Sequence, residues 1–523
     1  MATPIPENRA GFELGEIADA TGGALVDLPR AAAVAGVSTD SRAVARGGLF
    51  VALAGETHDG HRFVPAARER GATVLVARGA GIAGPRIEVD APLAALGALA
   101  RAFVERERRE RPLPALAIGG AAGKTTTKTL AAAAVEALCG PTLVTRGNLN
   151  NRIGVPMTLF TLEPGHRAAV LECGTSEPGE IAALAAIVRP EVALVTNVDV
   201  EHSEKLGSLD EIADEEGALL VGAARFAIAN ADDPRLLSRL ARARAQRLTF
   251  GTSSAADLWL AGRSTDADGA STVSFRLGEG LLAVLGAGGD GIGPATAGGQ
   301  GEAAKIAGGA KAAAGGEAGG GHGLELRFST RLLGEAAAVN LAAALLGALA
   351  LLGRWPAPGD WERLQRAIAA VDAVPGRLAP RWLGSSGIFV LDDTYNSNPR
   401  SVATALAAAR EVADRRQARL VVALGDMLEL GDLAAEAHVT MLRRADATGA
   451  AQLILVGDET ARVSEALADS LHTPNRIFSS SEEAATEVGH FVHAGDVLLV
   501  KGSRGMRMER LIEALELPRR TET

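Results

Sequence analysis

The stretch ALAIGGAAGKTTTK, from Ala115 to Lys128, holds the residue types that chemistry on phosphates requires. Gly120 and Gly123 let backbone N–H groups approach phosphate oxygens, Lys124 brings a full positive charge, and Thr125 offers a hydroxyl to Mg²⁺. The spacing is G-x-x-G-K-T from Gly120 to Thr125, with Ala121 and Ala122 inside it. Ile118 stands where the usual G-x-x-x-x-G-K-[ST] loop has its first glycine. A Gly-rich turn without a ligand is the alternative. Glu172 ends the apolar run AAVLEC, where a carboxylate can hold Mg²⁺ while Thr125 and a nucleotide supply further oxygens. A helix-capping or solvated glutamate is the other reading. His202 lies just past the next apolar run, in NVDVEHSE. A lone histidine is more often structural, but a place after the third strand of a nucleotide-binding sheet makes it a metal candidate. Two Asn-rich runs, GNLNNRIGVP (147–156) and DDTYNSNP (392–399), fit either turns or an amide-rich ligand.

These residues need elements that bring them together. Apolar strands ALAI, AAVLEC (Ala168 to Cys173), VALVTNV (Val192 to Val198) and FAIAN (Phe226 to Asn230) alternate with helical stretches. That alternation predicts a mostly parallel sheet with helices on both faces. A second series, IFVLDD, RLVVALGD, LILVGD and VLLVKGS, begins after about residue 373. In open parallel sheets the carboxyl ends of strands line the ligand crevice, which places Asp392, Asp393, Gly425, Asp426 and Lys501 there. Before both series come the strand-like GGLFVALAG and ATVLVAR, the helical FVPAARERG, and a charged helix, RAFVERERRERP, stopped by Pro112 and Pro114. The fold class is therefore α/β in three domains. The divisions fall at 1–95 (small, N-terminal), 96–372 (phosphate loop) and 373–523 (C-terminal, Rossmann-like).

At 523 residues the chain exceeds one core. Its 53 basic and 63 acidic residues give −10 with no basic block, which argues against nucleic-acid binding through phosphate neutralisation. Cys139 and Cys173 cannot form a disulfide framework and fit a reducing compartment. No charged segment followed by an apolar one opens the chain, and a cytoplasmic protein is expected. The apolar run from Ala336 to Gly353 tempts a membrane reading, but its alanines, its Asn340 and the preceding strand-like LELRFST fit a buried core helix. From Gly286 to Gly323 the sequence is nearly all Gly and Ala and is read as a disordered insertion. No self-complementary helix stands out, and a monomer is expected.

Ten segments in order resemble the Mur ligases: STDSR (38–42), GLFVALAGETHDGHRF (48–63), GKTTTK, GNLNNRIGVPMTL, NVDVEH, NADDP (230–234), VPGR (374–377), DDTYNSNP, LGDMLELG (424–431) and VKGSRGMRME (500–509). GNLNN, DDTYNSNP and LGDMLELG resemble those members that add D-alanyl-D-alanine to UDP-N-acetylmuramoyl-tripeptide. The resemblance implies that ATP phosphorylates the tripeptide's terminal carboxylate and that the dipeptide amine attacks the acyl phosphate. It implies that Thr125 and Glu172 bind one metal and His202 helps bind another. Gly120, Ala121, Ala122, Gly123, Lys124, Thr125 and Thr126 would cradle phosphate, and Asn340 and Arg377 would contact ATP. Ser38, Thr39, Asp40, Ser41 and Arg42 match the loop that holds the uridine diphosphate end. Asp393, Tyr395, Asn396 and Asn398 match positions that bring ATP and dipeptide together; Asn150, Asn151, Thr175 and Ser176 complete the expected substrate side.

Three positions depart from the family pattern. Ala121 and Ala122 remove polar side chains from the phosphate loop, a loss the backbone cradle should tolerate. Ala336 stands where a histidine is expected near Asn340. Glu216 occupies the place of a lysine that carries a carbamate in relatives. It is expected to supply the same negative charge to a metal through a bridging water, the alternative being a solvated helix glutamate. A related ligase with another amino-acid substrate, or a non-catalytic nucleotide-binding homologue, are the competing functions.

Overall fold

The computed structural model describes residues 3–55, 58–200, 203–266, 270–286, 324–384 and 386–516. His202 and residues 287–323 of the Gly/Ala-rich stretch lie outside them.

The N-terminal sheet contains β2 (Ala24–Val26), β4 (Val37–Ser38), β5 (Leu49–Val51), β6 (Thr73–Ala77) and β7 (Arg86–Val89), in the order β2-β7-β6-β5-β4. A two-stranded ribbon of β1 (Gly11–Glu13) and β3 (Ala33–Ala35) lies beside it. The helix Pro92–Glu110 follows, and its apolar face shares a hydrophobic cluster with Phe12, Ile17 and Leu49 on one side and Leu171, Ile181 and Val195 on the other. The expected division at residue 95 therefore falls inside a helix whose core continues into the next sheet.

That next sheet has nine strands: β8 (Ala115–Gly119), β9 (Thr142–Val144), β10 (Ala168–Glu172), β11 (Val192–Val195), β12 (Phe226–Asn230), β13 (Gln246–Gly251), β14 (Leu258–Thr265), β15 (Ser271–Leu277) and β16 (Glu325–Thr330). The order β16-β15-β14-β13-β12-β11-β8-β10-β9 is parallel from β9 to β14 and antiparallel across β15. Strands β8, β10, β11 and β12 are buried along their whole length, as strands covered by helices on both faces must be. Their continuous apolar runs are why they were legible. Strand β15 of the β14–β15 hairpin alternates buried with more exposed residues, and the hairpin was not anticipated. The expected strand 192–198 ends at Val195, because Thr196 and Asn197 turn away to hold the neighbouring loop.

The helix Gly334–Leu352 is long and apolar enough to cross a membrane, yet it packs against the helix Lys124–Cys139 and strands β8 and β11 to β14. Leu341, Leu345 and Leu349 are fully buried there.

The third sheet contains β17 (Ala379–Leu383), β18 (Ile388–Asp393), β19 (Leu420–Gly425), β20 (Gln452–Val456), β21 (Asn475–Phe478) and β22 (Val497–Lys501). Its order is β17-β18-β22-β19-β20-β21, parallel except for the edge strand β17. Asp393 and Lys501 stand opposite each other in register at the carboxyl ends of β18 and β22.

Candidate active site

Strand β8 lies between β10 and β11, where the chain switches from building one side of the sheet to the other. The crevice of an open α/β sheet opens at such a point, beyond the strand carboxyl ends. Gly119, Glu172 and Val195 end these three neighbouring strands. The segment from Gly120 to Gly123 leaves β8 and feeds the helix Lys124–Cys139.

The loop's first half is held from within. Gly120 N–H donates to Glu216 Oε2 at 2.6 Å, Ala121 N–H to Asn197 O at 3.0 Å, and Ala122 N–H to Asn197 Oδ1 at 2.9 Å. Asn197 Nδ2 and Thr196 Oγ1 donate to Ala122 O at 2.8 and 2.7 Å. Polar side chains at 121 and 122 are therefore not needed to shape the loop, since Thr196 and Asn197 shape it from the next strand. Phosphate is left to the helix's first turn, whose N–H groups have no intrahelical acceptor. Gly123, Thr125 and Thr126 of that turn line a cavity. Lys124 Nζ donates to Ala121 O at 3.1 Å and to Gly120 O.

Glu172 is 3% exposed. Its Oε1 accepts from Asn150 Nδ2 at 2.8 Å and from Thr125 Oγ1 at 3.4 Å. Lys128 Nζ lies 3.0 Å from Oε2, an ion pair without hydrogen-bond alignment. Burial pushes this carboxyl up, but the ammonium groups of Lys128 and Lys124 and the Asn150 amide more than offset it and hold it below the usual carboxylate range. Glu172 is thus neither a helix cap nor solvated; it is an ionised carboxylate beside the Thr125 hydroxyl. Those two hard oxygens fit Mg²⁺. Among the described residues no group of three or more His, Cys, Asp or Glu side chains forms, so the remaining oxygens would come from nucleotide and water.

Glu216 is not the solvated helix glutamate of the alternative reading. It is buried on the helix Leu209–Val221 and accepts from the Gly120 N–H at the start of the loop. The second metal position implied by the resemblance rests on His202, which lies outside the described residues.

Two cavities meet over the loop. One, of about 670 Å³, is lined by Gly123, Thr126, Asn340, Ala336, Asp393 and the first turns of the helix Pro399–Arg416. The other, of about 230 Å³, is lined by Lys124, Glu172, Asn150, Asn151, Thr175, Ser176 and Tyr395. Ala121, Gly123, Thr125, Arg377 and Asn396 border both. Arg377 and Asn396 come from the C-terminal part, so the two parts close one site between them. The Arg377 guanidinium lies over the Tyr395 ring, 4.0 Å from its centroid.

Several expected ligand residues also make hydrogen bonds within the protein. Asn398 Oδ1 accepts from Ser401 N at 2.8 Å and caps the helix Pro399–Arg416. Asn151 Oδ1 accepts from Gly154 N at 2.8 Å at a helix start. Both oxygens of Asp393 are taken, by Leu378 N at 3.0 Å and Lys501 Nζ at 2.7 Å. Thr175 Oγ1 donates to Glu177 O, and Ser176 N–H to Glu180 Oε2. The loop Ser38–Arg42 borders neither cavity. Ser38 is buried, Thr39 and Ser41 flank a turn closed by Ser38 Oγ and Asp40, and Arg42 forks onto Asp40 at 2.9 and 2.7 Å. That hydrogen bond from Arg42 holds the Asp40 carboxyl below its usual range. Lys501 stands at the strand end where the crevice was expected, whereas Thr196, Asn197 and Lys128 were missed from the sequence. Their signal was position: each follows or faces a strand end already read as part of the site.

Three family profiles match the chain: "Mur ligase family, catalytic domain" over residues 33–110, "Mur ligase middle domain" over 118–287, and "Mur ligase, glutamate ligase domain" over 376–504. UDP-N-acetylmuramoyl-tripeptide--D-alanyl-D-alanine ligase of Escherichia coli K12 is 31% identical over 486 residues, covering 92% of this chain and 93% of the relative. A crystal structure of MurF from Acinetobacter baumannii shares the fold at a TM-score of 0.77 and 24% identity, over 98% of this chain and 100% of that one. MurF ligase from Thermotoga maritima, solved in complex with ADP, does so at 0.71 and 23% identity, over 92% and 97%. With the phosphate loop, the three-sheet architecture and these likenesses together, the chain belongs to the Mur ligase family.

Proposed function

We propose that this chain is an ATP-dependent ligase joining D-alanyl-D-alanine to UDP-N-acetylmuramoyl-tripeptide through an acyl phosphate, as a monomer in the cytoplasm. The observation that carries the reading is the pair of cavities joined over Gly123 and Thr125. One is large enough for a nucleotide, the other opens onto Lys124 and Glu172, and Arg377 and Asn396 border both. ATP would lie along the first cavity between Asn340 and the helix Pro399–Arg416, with its phosphates on the amides of Gly123, Thr125 and Thr126. The uridine diphosphate end would take the Ser38–Arg42 loop, and the tripeptide would extend to Asn150, Thr175 and Ser176.

In the first step a tripeptide carboxylate oxygen bonds to the γ-phosphorus, and the β–γ bridging oxygen leaves with its electron pair as ADP. Two anions meet there. Lys124, released from the loop carbonyls, and Arg377 stabilise the charge that spreads over the phosphoryl oxygens. Mg²⁺, held by Thr125 and Glu172, would supply further neutralisation at the phosphates. In the second step the dipeptide amine bonds to the acyl carbon, phosphate leaves with the C–O pair, and the amine's proton goes with it. Tyr395 and Asn396 stand where both halves of the site meet and would order the incoming dipeptide. Closure of the C-terminal part over the acyl phosphate keeps water from hydrolysing it.

The test is phosphate release with purified protein, ATP, the tripeptide nucleotide and D-alanyl-D-alanine. Release that requires all three substrates, and that Lys124→Ala lowers by about a thousandfold, is the expected result. Equal release with single amino acids would point to another substrate; no release with any muramoyl tripeptide would sink the reading.

A further inference from the structure

Lys501 carries no role so far, yet its place is unusual for a lysine. It ends β22, is 1% exposed, and stands in register with Asp393 on β18. Its ammonium donates to Asp393 Oδ2 at 2.7 Å and to Asn396 O at 2.8 Å. Burial draws its pKa down, and the Asp393 carboxylate only partly offsets this. A buried charge of this kind needs its partners, so the three groups move as one unit.

The unit reaches two loops. Asp393 Oδ1 accepts from Leu378 N at 3.0 Å, which fixes the residue after Arg377 in a left-handed conformation, φ 51°. Tyr395 N–H donates to Gly376 O at 3.0 Å, on the other side of Arg377. The carbonyl of Asn396 is held by Lys501 itself. Arg377, Tyr395 and Asn396 are the C-terminal residues bordering the smaller cavity over the phosphate loop.

We propose that Lys501 is a positioning residue: its ammonium ties the Arg377 loop and the Tyr395–Asn396 loop together, and so sets the guanidinium over the phosphoryl group. A compact ammonium with three donors suits a carboxylate and a carbonyl converging in a closed space, whereas a guanidinium is larger and planar. The proposal rests on the ligase reading above, because it acts through Arg377. The phosphate loop, Lys124 and Asn340 belong to the central sheet and are not part of the unit. Arg377, Asp393 and Lys501 also border the larger cavity, so nucleotide affinity should fall in a Lys501 variant, but by less than turnover.

The experiment compares wild type, Lys501→Met, Arg377→Ala and the double variant, with ADP affinity by calorimetry and kcat and KM by phosphate release. Lys501→Met should lower kcat by about a hundredfold, the usual result of misplacing a catalytic group by an ångström, with a smaller loss of ADP affinity. Arg377→Ala should cost little in the Lys501→Met background, because the guanidinium is already displaced. Lys501→Arg should not rescue kcat. Should Lys501→Met fail to fold, Asp393→Asn/Lys501→Met removes both charges of the pair and carries the same expectation for kcat. Unchanged kcat, a full Arg377→Ala effect in the variant background, or ADP affinity lost in step with kcat would each overturn the proposal. If wild type itself shows no dipeptide-dependent release, the ligase reading fails instead. If Arg377→Ala alone is silent, the role of Arg377 fails.

Discussion

Lys128 and Glu172 are 4% and 3% exposed, and the ammonium lies 3.0 Å from the carboxylate. Breaking such a pair from one side leaves an uncompensated buried charge, which costs about 3–5 kcal/mol. Lys128→Met should lower the unfolding free energy by that amount in a urea titration, and Lys128→Met/Glu172→Gln should recover most of it. Because the folded protein holds the Glu172 carboxyl below its usual range, its contribution is present above about pH 4.3, the unfolded value, and fades as pH falls through the lower folded one. Glu216 is a second case in which the partner decides the outcome. Glu216→Ala should leave the Gly120 N–H without this acceptor, cost about 1–3 kcal/mol and weaken ADP binding, whereas Glu216→Gln keeps an oxygen there and should change little. Calorimetry with ADP separates the two variants. At this scale the sequence told residue types well and partners poorly. Lys124, Thr125 and Glu172 could be named from their motif, but the Asn150 bond to Glu172 and the Asn398 cap look the same in a string of asparagines.

The loop between β8 and its helix is the element on which the site is built, and its glycines explain why. Gly120 sits at φ 115°, and a Cβ there would stand 2.9 Å from Thr196 N and 3.0 Å from Asn197 N, backbone atoms that cannot swing aside. Gly120→Ala combines that clash with a left-handed conformation and should destabilise by about 1–3 kcal/mol. It should also lower ADP affinity at least as much as Lys124→Ala, measured in the same titration. Gly123, at φ 82°, faces the Asn340 side chain, and any Cβ there would push on the residue expected to touch ATP. Strands β8, β10, β12 and β18 were legible because a fully buried strand reads as an unbroken apolar run. The hairpin β14–β15 was not, because Arg263, Thr265 and Ser271 interrupt its apolar residues for reasons that lie in another part of the molecule.

Those reasons appear only with the whole chain assembled. Arg263 on β14 forks onto Glu411 of the helix Pro399–Arg416, with Nη1–Oε1 at 2.8 Å and Nη2–Oε2 at 2.7 Å. Thr265 Oγ1 accepts from the same Nη1 at 2.6 Å and meets Ser271 Oγ at 3.1 Å, so the guanidinium is braced before Glu411 reaches it. Arg263 and Glu411 both border the larger cavity, on opposite sides of the junction between central and C-terminal parts. Partly exposed ion pairs contribute little, about 0–1 kcal/mol, but a braced bidentate pair lies at the upper end of that range. About 1 kcal/mol corresponds to roughly a fivefold change in the ratio of closed to open molecules. Arg263→Ala should therefore enlarge the radius of gyration measured by X-ray scattering in the presence of ADP, and raise KM for ATP by about that factor. The swap Arg263→Glu/Glu411→Arg should restore part of both. The Arg263 hydrogen bonds hold the Glu411 carboxyl below its usual range, so closure should be favoured above about pH 4.3 and weaken as pH falls through the closed-state value. Raising salt from 0.05 to about 0.5 M should mimic the variant, since screening acts on the same pair. A radius of gyration indifferent to the variant, to acid and to salt would mean that the apolar contact of Leu333 and Gly334 with the helix Pro399–Arg416 closes the site unaided.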